Sequence, residues 1–400
     1  MTWPAFRNGI GIEKMNEKLC RTTMVPIVSA EVFEVEAKLC TPYKLTEGVL
    51  VATQAVLVKL TDADGFVGWG EANPAETVDG ETPAGVLTIL KDKLLPIVLA
   101  TPEPAPGTID ALVDVVIPSH LCAKGAITMA LLDILGKRLN VAVATLLGGP
   151  LRRSLPVLWP LSNGTAQEDI PIIEERAAQG FSSFMLKMGT SPITSEIKRV
   201  AALDARYGER VKFIADANQG WSLGQAREFL AGIAGSKVAF VEEPLATDII
   251  AGMAQLSNAS QLPLSADESI IDLTDAAQLA RTGAATVFSI KSSKNGGPLR
   301  AQRIAATAEA FGISCYMNSM IEFGITQAAS LQHAVTVRNL VDAGHAFMST
   351  MRLVEDPTDF SSFVRNGIVH LPDRAGLGVE IDEDHVRRLT TARFVLGAEK

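Results

Sequence analysis

Five ionisable residues recur along the second half of this chain at a spacing that chemistry could use. Lys187, Asp216, Glu242, Asp267 and Lys291 follow one another at steps of 29, 26, 25 and 24 residues. Each lies toward the end of a short apolar run: FMLKM, KFIADA, VAFVEEP, LPLSADE and VFSIKSS. Lysine is almost never fully buried without a partner, because a lone buried ammonium is costly or is forced neutral. Lys187, alone inside FMLKMG, must therefore be paired or used. Three carboxylates brought to one place would repel, and their pKa values would rise, unless a cation sits among them. An all-oxygen donor set, with no Cys or His, selects Mg²⁺ or Mn²⁺ over Zn²⁺. Such an ion can take a substrate carboxylate and stabilise the charge left when its α-proton is removed. A free lysine titrates at about 10.4, and burial beside a cation would lower it toward the roughly 7–8 that suits a general base. Asp216, Glu242 and Asp267 thus read as metal ligands, with Lys187 and Lys291 as acid/base groups on opposite sides of the metal.

Those residues need a scaffold that gathers five strand ends. From about residue 155 the apolar runs, with a further one at 313–319, alternate with helical segments such as 222–234 and 298–311. That alternation implies βα units and a parallel sheet. The spacing matches a barrel that takes roughly 250 residues for eight units, whose strand ends meet at one mouth. Two neighbours join the candidate site. Glu268 directly follows Asp267 and is expected to pair with Lys291. Asn218, two residues after Asp216, is expected to point the same way along an extended segment.

The first part of the chain reads as mixed α and β. Residues 27–41 alternate as a strand, and 51–60 with 62–72 form a hairpin turning near Asp64–Gly65. Helices are expected over 83–99 and 123–148, with a loop at 102–107, and this part ends near Gly148–Pro150. The boundaries read as an N-terminal extension over 1–23, expected to be disordered with Met24 a candidate true start, a capping domain over 24–152, a barrel over 153–370, and a final segment over 371–400.

The 400 residues are 47% hydrophobic and carry a formal net charge of −9. The acidic balance argues against nucleic acid or an anionic membrane as partner, since both need a basic footprint. No apolar run reaches the roughly 18–20 residues of a membrane span. Cys20, Cys40, Cys122 and Cys315 are scattered, which reads as free thiols in a reducing compartment. The expectation is a soluble cytoplasmic enzyme.

At these residues the chain resembles the enolase superfamily, in its muconate lactonizing enzyme (muconate cycloisomerase) subgroup. FMLKMG resembles the motif whose last lysine is an acid/base, and IADANQGW, VEEP and SADES resemble the three metal-ligand motifs. SIKSSKNGG resembles the later lysine motif, with Lys291 in the catalytic place. MIEFGI resembles the segment that supplies a late acidic residue near the substrate, here Glu322, and LPDRAGLGVEID the segment that returns to the first domain. The resemblance implies a modified TIM barrel, (β/α)7β, under an N-terminal α+β capping domain, and a homo-oligomer. It also implies that segments 41–53 and 72–82 of the cap choose the substrate. One position departs: the motif is usually KxK, and Met185 stands where the first lysine would be, leaving the site more apolar and one charge less positive. The cap acids Glu47, Glu76, Asp79 and Glu81 outnumber Lys44, which would favour a substrate bearing a positive group, such as an amino acid or an N-alkylated derivative. The expected function is a Mg²⁺-dependent isomerase that makes an enolate from a small carboxylate. Cycloisomerisation, racemisation or epimerisation, and dehydration all remain compatible with two lysines. A non-catalytic relative would have lost one of the five groups, and all five are present.

Overall fold

The computed structural model describes residues 24–46 and 48–397. The expected extension over 1–23, Cys20 within it, and Glu47 lie outside these residues. The chain opens with an antiparallel meander of β1 (Ile27–Leu45), β2 (Gly48–Asp62) and β3 (Val67–Ala72). Both faces of this sheet are apolar, with period two along each strand. Ala30, Val32, Val56, Val58 and Leu60 face the cap helices, whereas Phe33, Val35, Ala37, Ala55 and Leu57 belong to the barrel core. Segment 41–53 is therefore the twisted tip of the β1–β2 hairpin rather than a loop, with Tyr43 opposite Leu50 and Lys44 opposite Val49.

The cap helices follow. Pro83–Ile89 and Leu95–Ala100 are joined through a π-helical turn at Leu90–Leu94. The loop expected at 102–107 ends early, because Pro106 opens a helix, Pro106–Val116, in the first-turn position that proline suits. The helix expected over 123–148 is interrupted. It runs Leu121–Leu139, turns at Asn140 in a left-handed conformation (φ 52°), and resumes briefly as Val143–Leu146. Asn tolerates that conformation better than most residues, a local signal that apolar periodicity does not carry.

A short strand, β4 (Ser154–Pro156), leads into seven parallel strands: β5 (Leu158–Leu161), β6 (Ser183–Lys187), β7 (Lys212–Asp216), β8 (Val238–Glu242), β9 (Leu264–Ala266), β10 (Val287–Ile290) and β11 (Ser314–Met317). They are hydrogen-bonded in chain order, with helices between them. Residues 339–346 close the ring as an eighth stave. Leu340 bridges to Cys315, His345 bridges to Val157, and the amide of Ala346 donates to the carbonyl of Met317 at 2.9 Å. The result is the (β/α)7β barrel that the resemblance implied. β12 (Val364–Arg365) and β13 (Ile368–His370) pair with β4 beneath it, and β14 (Thr390–Gly397) returns to pair with β1.

Buried carboxylates fasten cap to barrel. Glu71 on β3 accepts the amides of Phe323 (2.8 Å) and Thr326 (2.9 Å), at the start of helix Gly324–Ala334. Asp133 accepts the amides of Trp69 (3.1 Å) and Leu377 (2.9 Å), tying the sheet, its helix and the returning segment together. Cys40, Cys122 and Cys315 are free thiols. Among the described residues no helix is long and apolar enough to cross a membrane.

The closest packing in the cap is made by glycine. A Cβ on Gly70 would lie 1.8 Å from the carbonyl oxygen of Ala126, so β3 and helix Leu121–Leu139 touch backbone to backbone. Gly70→Ala is expected to destabilise the protein by about 3 kcal/mol or more, since neither backbone can move freely. Chemical denaturation should show a clear loss, whereas Gly107→Ala, with nothing within 4 Å of the new methyl, should show little.

Candidate active site

Strand register brings the first three predicted groups together. Lys187 pairs with Asp216 across β6–β7, Asp216 with Glu242 across β7–β8, and Glu242 with Ser265 across β8–β9. Asp216, Glu242 and Asp267 are fully buried under the barrel mouth. Lys187 and Lys291 both reach the cavity above them, which has a volume of about 540 Å³. In the ring of eight staves β6 is second and β10 sixth, so the two lysines stand half a turn apart.

The ammonium of Lys187 bonds the carboxylate of Asp216 and, at 3.0 Å, Oδ1 of Asn218. Lys291 lies 2.6 Å from one oxygen of Asp267, and buried Lys294 lies 2.9 Å from the other. Burial presses both Lys187 and Lys291 toward the neutral form, but the surrounding carboxylates outweigh it and raise both lysines. The expected lowering is thus reversed in the protein's own charge field. Burial would likewise raise Asp267, yet Lys291 and Lys294 hold it well below the usual carboxylate range.

Glu242 is the unbalanced member. Burial first, then Asp216 and Asp267, push it well above the ordinary value, and its Oε2 is buried without a partner. Its Oε1 accepts from the amide of Asn318 at 2.8 Å, and Asn318 also donates to Ser289 at 2.9 Å. Among the described residues no three acidic, His or Cys side chains are gathered closely enough to enclose an ion as they stand. The ammoniums and Asn318 occupy most of the carboxylate oxygens instead. The donor set still fits a hard divalent cation: it is all oxygen, deeply buried, short of positive charge at Glu242, and has a free oxygen there.

The neighbouring positions differ from expectation in two respects. Asn218 is not on an extended segment. It turns left-handed (φ 41°), as Gln219 does, and the Asn218 side chain swings back to bridge Lys187 and Glu268. Glu268 accepts from Asn218 at 3.0 Å rather than pairing with Lys291, and is pushed up to about 8 by burial and by Asp267 and Glu243. Met185 is on the cavity wall. Glu322 does not line the cavity. It is buried behind the loop after β11, accepting from Met320 N (2.6 Å), Ser319 Oγ (2.8 Å) and Gln327 Nε2 (2.7 Å).

The cap closes the cavity with the hairpin tip and the loop after β3. Tyr43, Leu45 and residues 49–54 supply one wall, and residues 73–78 with Glu81 and Thr82 another. Thr46 secures the tip, its hydroxyl donating to the carbonyl of Met188 at 3.1 Å. The acidic lid is thinner than counted. Glu76 and Glu81 line the cavity, but Asp79 turns away to the backbone and Cys122, and Lys44 does not reach it. Burial pushes Glu81 up to about 7.

Four residues at the site were not singled out by the sequence reading: Lys294, Asn318, Tyr43 and Arg352. KNGG carried a signal for the first. Lys294 grips Asp267, and Asn295 spans to the carbonyls of Ile270 and Ile271. Gly296 and Gly297 let this loop touch Gly125 of the cap helix, where a Cβ would meet Gly297 N at 2.9 Å.

Comparison with known proteins agrees with this geometry. Residues 27–148 match the mandelate racemase / muconate lactonizing enzyme N-terminal domain, and residues 172–385 the enolase C-terminal domain-like family. Muconate cycloisomerase 1 of Pseudomonas putida is 32% identical over 87% of this chain and 93% of its own length. The L-Ala-D/L-Glu epimerase of Bacillus subtilis is 28% identical over 88% of this chain and 96% of its own. A muconate lactonizing enzyme from Pseudomonas fluorescens, solved with muconolactone, superposes with a TM-score of 0.88 at 31% identity, covering 92% of this chain and 99% of that one. An N-succinyl Arg/Lys racemase from Bacillus cereus reaches the same score at 26% identity, covering 93% and 100%. The chain belongs to the mandelate racemase/muconate lactonizing enzyme family of the enolase superfamily, on the muconate lactonizing side.

Proposed function

We propose that this protein is a Mg²⁺-dependent isomerase that removes the α-proton of a small carboxylate substrate and returns a proton to the resulting enolate. The observation that carries this reading is the pair of cavity-facing lysines, half a turn apart, over three buried carboxylates. Asp216, Glu242 and Asp267 would hold the ion, which when bound supplies the positive charge that stabilises the enolate of the substrate carboxylate.

The chain's own residues supply the rest. Lys187 and Lys291 address the two faces of a flat species held across the mouth. One must be neutral to take the proton at Nζ, which requires positive charge set against the carboxylates that raise it, and the other, being protonated, delivers its own. Lys187 is steered by Asn218, which Glu268 orients in turn. Lys291 is steered by Asp267. The cap walls exclude water from the enolate, which would otherwise be protonated without control. Ring closure needs only one lysine to protonate the product enolate, as in a muconate cycloisomerase. Racemisation or epimerisation needs both. The presence of both, and the structural likeness to an N-succinyl amino-acid racemase, support the second reaction beside the first.

Incubation in D₂O with Mg²⁺ and a panel of cis,cis-muconate, free and N-acylated amino acids and N-methylated prolines should place deuterium at an α-carbon. Closure of muconate to lactone with one deuterium identifies the cycloisomerase, and exchange without net conversion identifies the racemase. Lys187→Ala and Lys291→Ala should each lower exchange by about 10²–10⁴ on the face they serve. Exchange at wild-type rate in both variants would sink the assignment.

The cation can be tested without turnover. Chelation followed by addition of Mg²⁺ should raise the melting temperature by a few degrees, since an ion at 100 times its Kd contributes about 2.7 kcal/mol. Glu242→Gln should remove most of that rise, and an unchanged rise would place the ion elsewhere.

A further inference from the structure

Each acid under the mouth has part of its carboxylate already held. Asp216 gives Oδ2 to Lys187 and Oδ1 to the amide of Asn218 at 3.0 Å. Asp267 gives Oδ2 to Lys291 at 2.6 Å and Oδ1 to Lys294 at 2.9 Å. Glu242 is held by a different kind of group. Among the described residues no ammonium is paired with it. Its Oε1 accepts from the side-chain amide of Asn318 at 2.8 Å, and its Oε2 is buried without a partner.

Asn318 is firmly aimed at this acid. It follows β11 directly, at the end of stave seven, and is only 7% exposed. Its backbone amide donates to the carbonyl of Ile290 at 2.8 Å, which fastens it to stave six. Its Oδ1 accepts the amide of Ser319 at 2.8 Å, with the Tyr316 hydroxyl 3.4 Å from the same oxygen. A backbone N–H only donates, so the side-chain oxygen must face it and the NH₂ group must face the carboxylates. That group meets Glu242 Oε1, Ser289 Oγ at 2.9 Å and, more distantly, Asp267 Oδ2 at 3.4 Å. The side chain thus spans from stave seven to stave four, and turning it over would break bonds at both ends.

The consequence for the acid is chemical. An amide supplies a hydrogen bond without a charge, so it holds one oxygen of Glu242 and leaves the demand for a cation in place. With Oε1 held, Glu242 offers an ion Oε2 alone. Asp216 and Asp267 are held at both oxygens, and neither can turn both toward one ion without losing two charge-assisted bonds. The whole cluster is thereby set to meet an ion with single oxygens. Ca²⁺ takes more oxygen ligands than Mg²⁺ and accepts a carboxylate through both of its oxygens, whereas Mg²⁺ is smaller and keeps several waters.

We propose that Asn318 is a positioning residue that selects the cation: by holding Oε1 it keeps Glu242 a one-oxygen ligand and so favours Mg²⁺ over Ca²⁺. This rests on reading the three carboxylates as the seat of a divalent ion, and takes nothing from the identity of the substrate.

The test is calorimetric titration of the chelator-treated, full-length protein with Mg²⁺ and, separately, with Ca²⁺. The wild type should bind Mg²⁺ the more tightly. Asn318→Leu, close in size but unable to donate, should narrow that preference by about 10- to 100-fold, the usual effect of removing a hydrogen-bond partner from a metal ligand. Asn318→Gln keeps an amide and should restore part of it. Ser289→Ala leaves Asn318 in place but frees its NH₂ group, and should move the ratio the same way by less. The ratio is the readout, because a merely structural loss weakens both ions alike. A wild type that prefers Ca²⁺, an unchanged ratio in Asn318→Leu and Ser289→Ala, or equal weakening of both ions would overturn the assignment. A failure of the cation reading itself is distinct: neither ion would then bind the wild type.

Discussion

Everything in this barrel is arranged around a knot of charge largely withdrawn from bulk water. Three carboxylates and the ammoniums of Lys187, Lys291 and Lys294 lie within one layer under the mouth. Taking such groups out of water is expensive unless each finds an opposite partner at close range. The parallel register supplies those partners, because Lys187, Asp216 and Glu242 stand side by side on adjacent strands. A slip of one residue in β7 would turn Asp216 to the other face of the sheet and strand Lys187. The charges therefore police the register of the strands that carry them. Glu243 extends the same logic one step outward. It turns left-handed (φ 33°) under the mouth and accepts the amides of Asp267 and Ser269, at 2.6 and 3.2 Å, so the stave bearing the next acid is fixed by the residue after the last one.

Much of this was legible in the sequence. Five ionisable residues at one βα interval identified the barrel, the mouth and the five central groups, because period and residue type are both local properties. Two parts of the ring were not legible. β5 is a four-residue LWPL run interrupted by Pro160. The eighth stave runs through NLVDAGHA, too polar and too glycine-rich to read as a strand, and is held by isolated bridges. Left-handed turns were also invisible to a pattern of apolar spacing, which is why Asn218 was expected on extended backbone and the helix through Asn140 was expected to continue. The lysine charge state depends on neighbours the sequence does not rank: in the folded chain the nearest charges to Lys187 and Lys291 are the carboxylates, which raise both. Arg352 gave no signal because its partner Tyr43 is some 300 positions away and no motif joins them.

Cap and barrel divide the work. The cap is bound to the barrel through its rigid parts: Glu71 on the helix start at Gly324, Asp133 on Leu377, and glycine contacts between Gly125 and Gly297. The parts that touch a ligand are its two extremities, the hairpin tip and the segment after β3. Those extremities are held by polar tethers of their own, such as Thr46 on Met188 and Asn73 on Ser293.

The placement of the two lysines has one more consequence. Staves two and six present the same kind of group to opposite sides of whatever lies between them, so the floor is close to symmetric toward a planar guest. A symmetric floor has no preferred hand. Under the proposed reaction, handedness would come from the asymmetric walls, from which way round the guest is seated. Reversing that seat would exchange the jobs of the two lysines without altering either one.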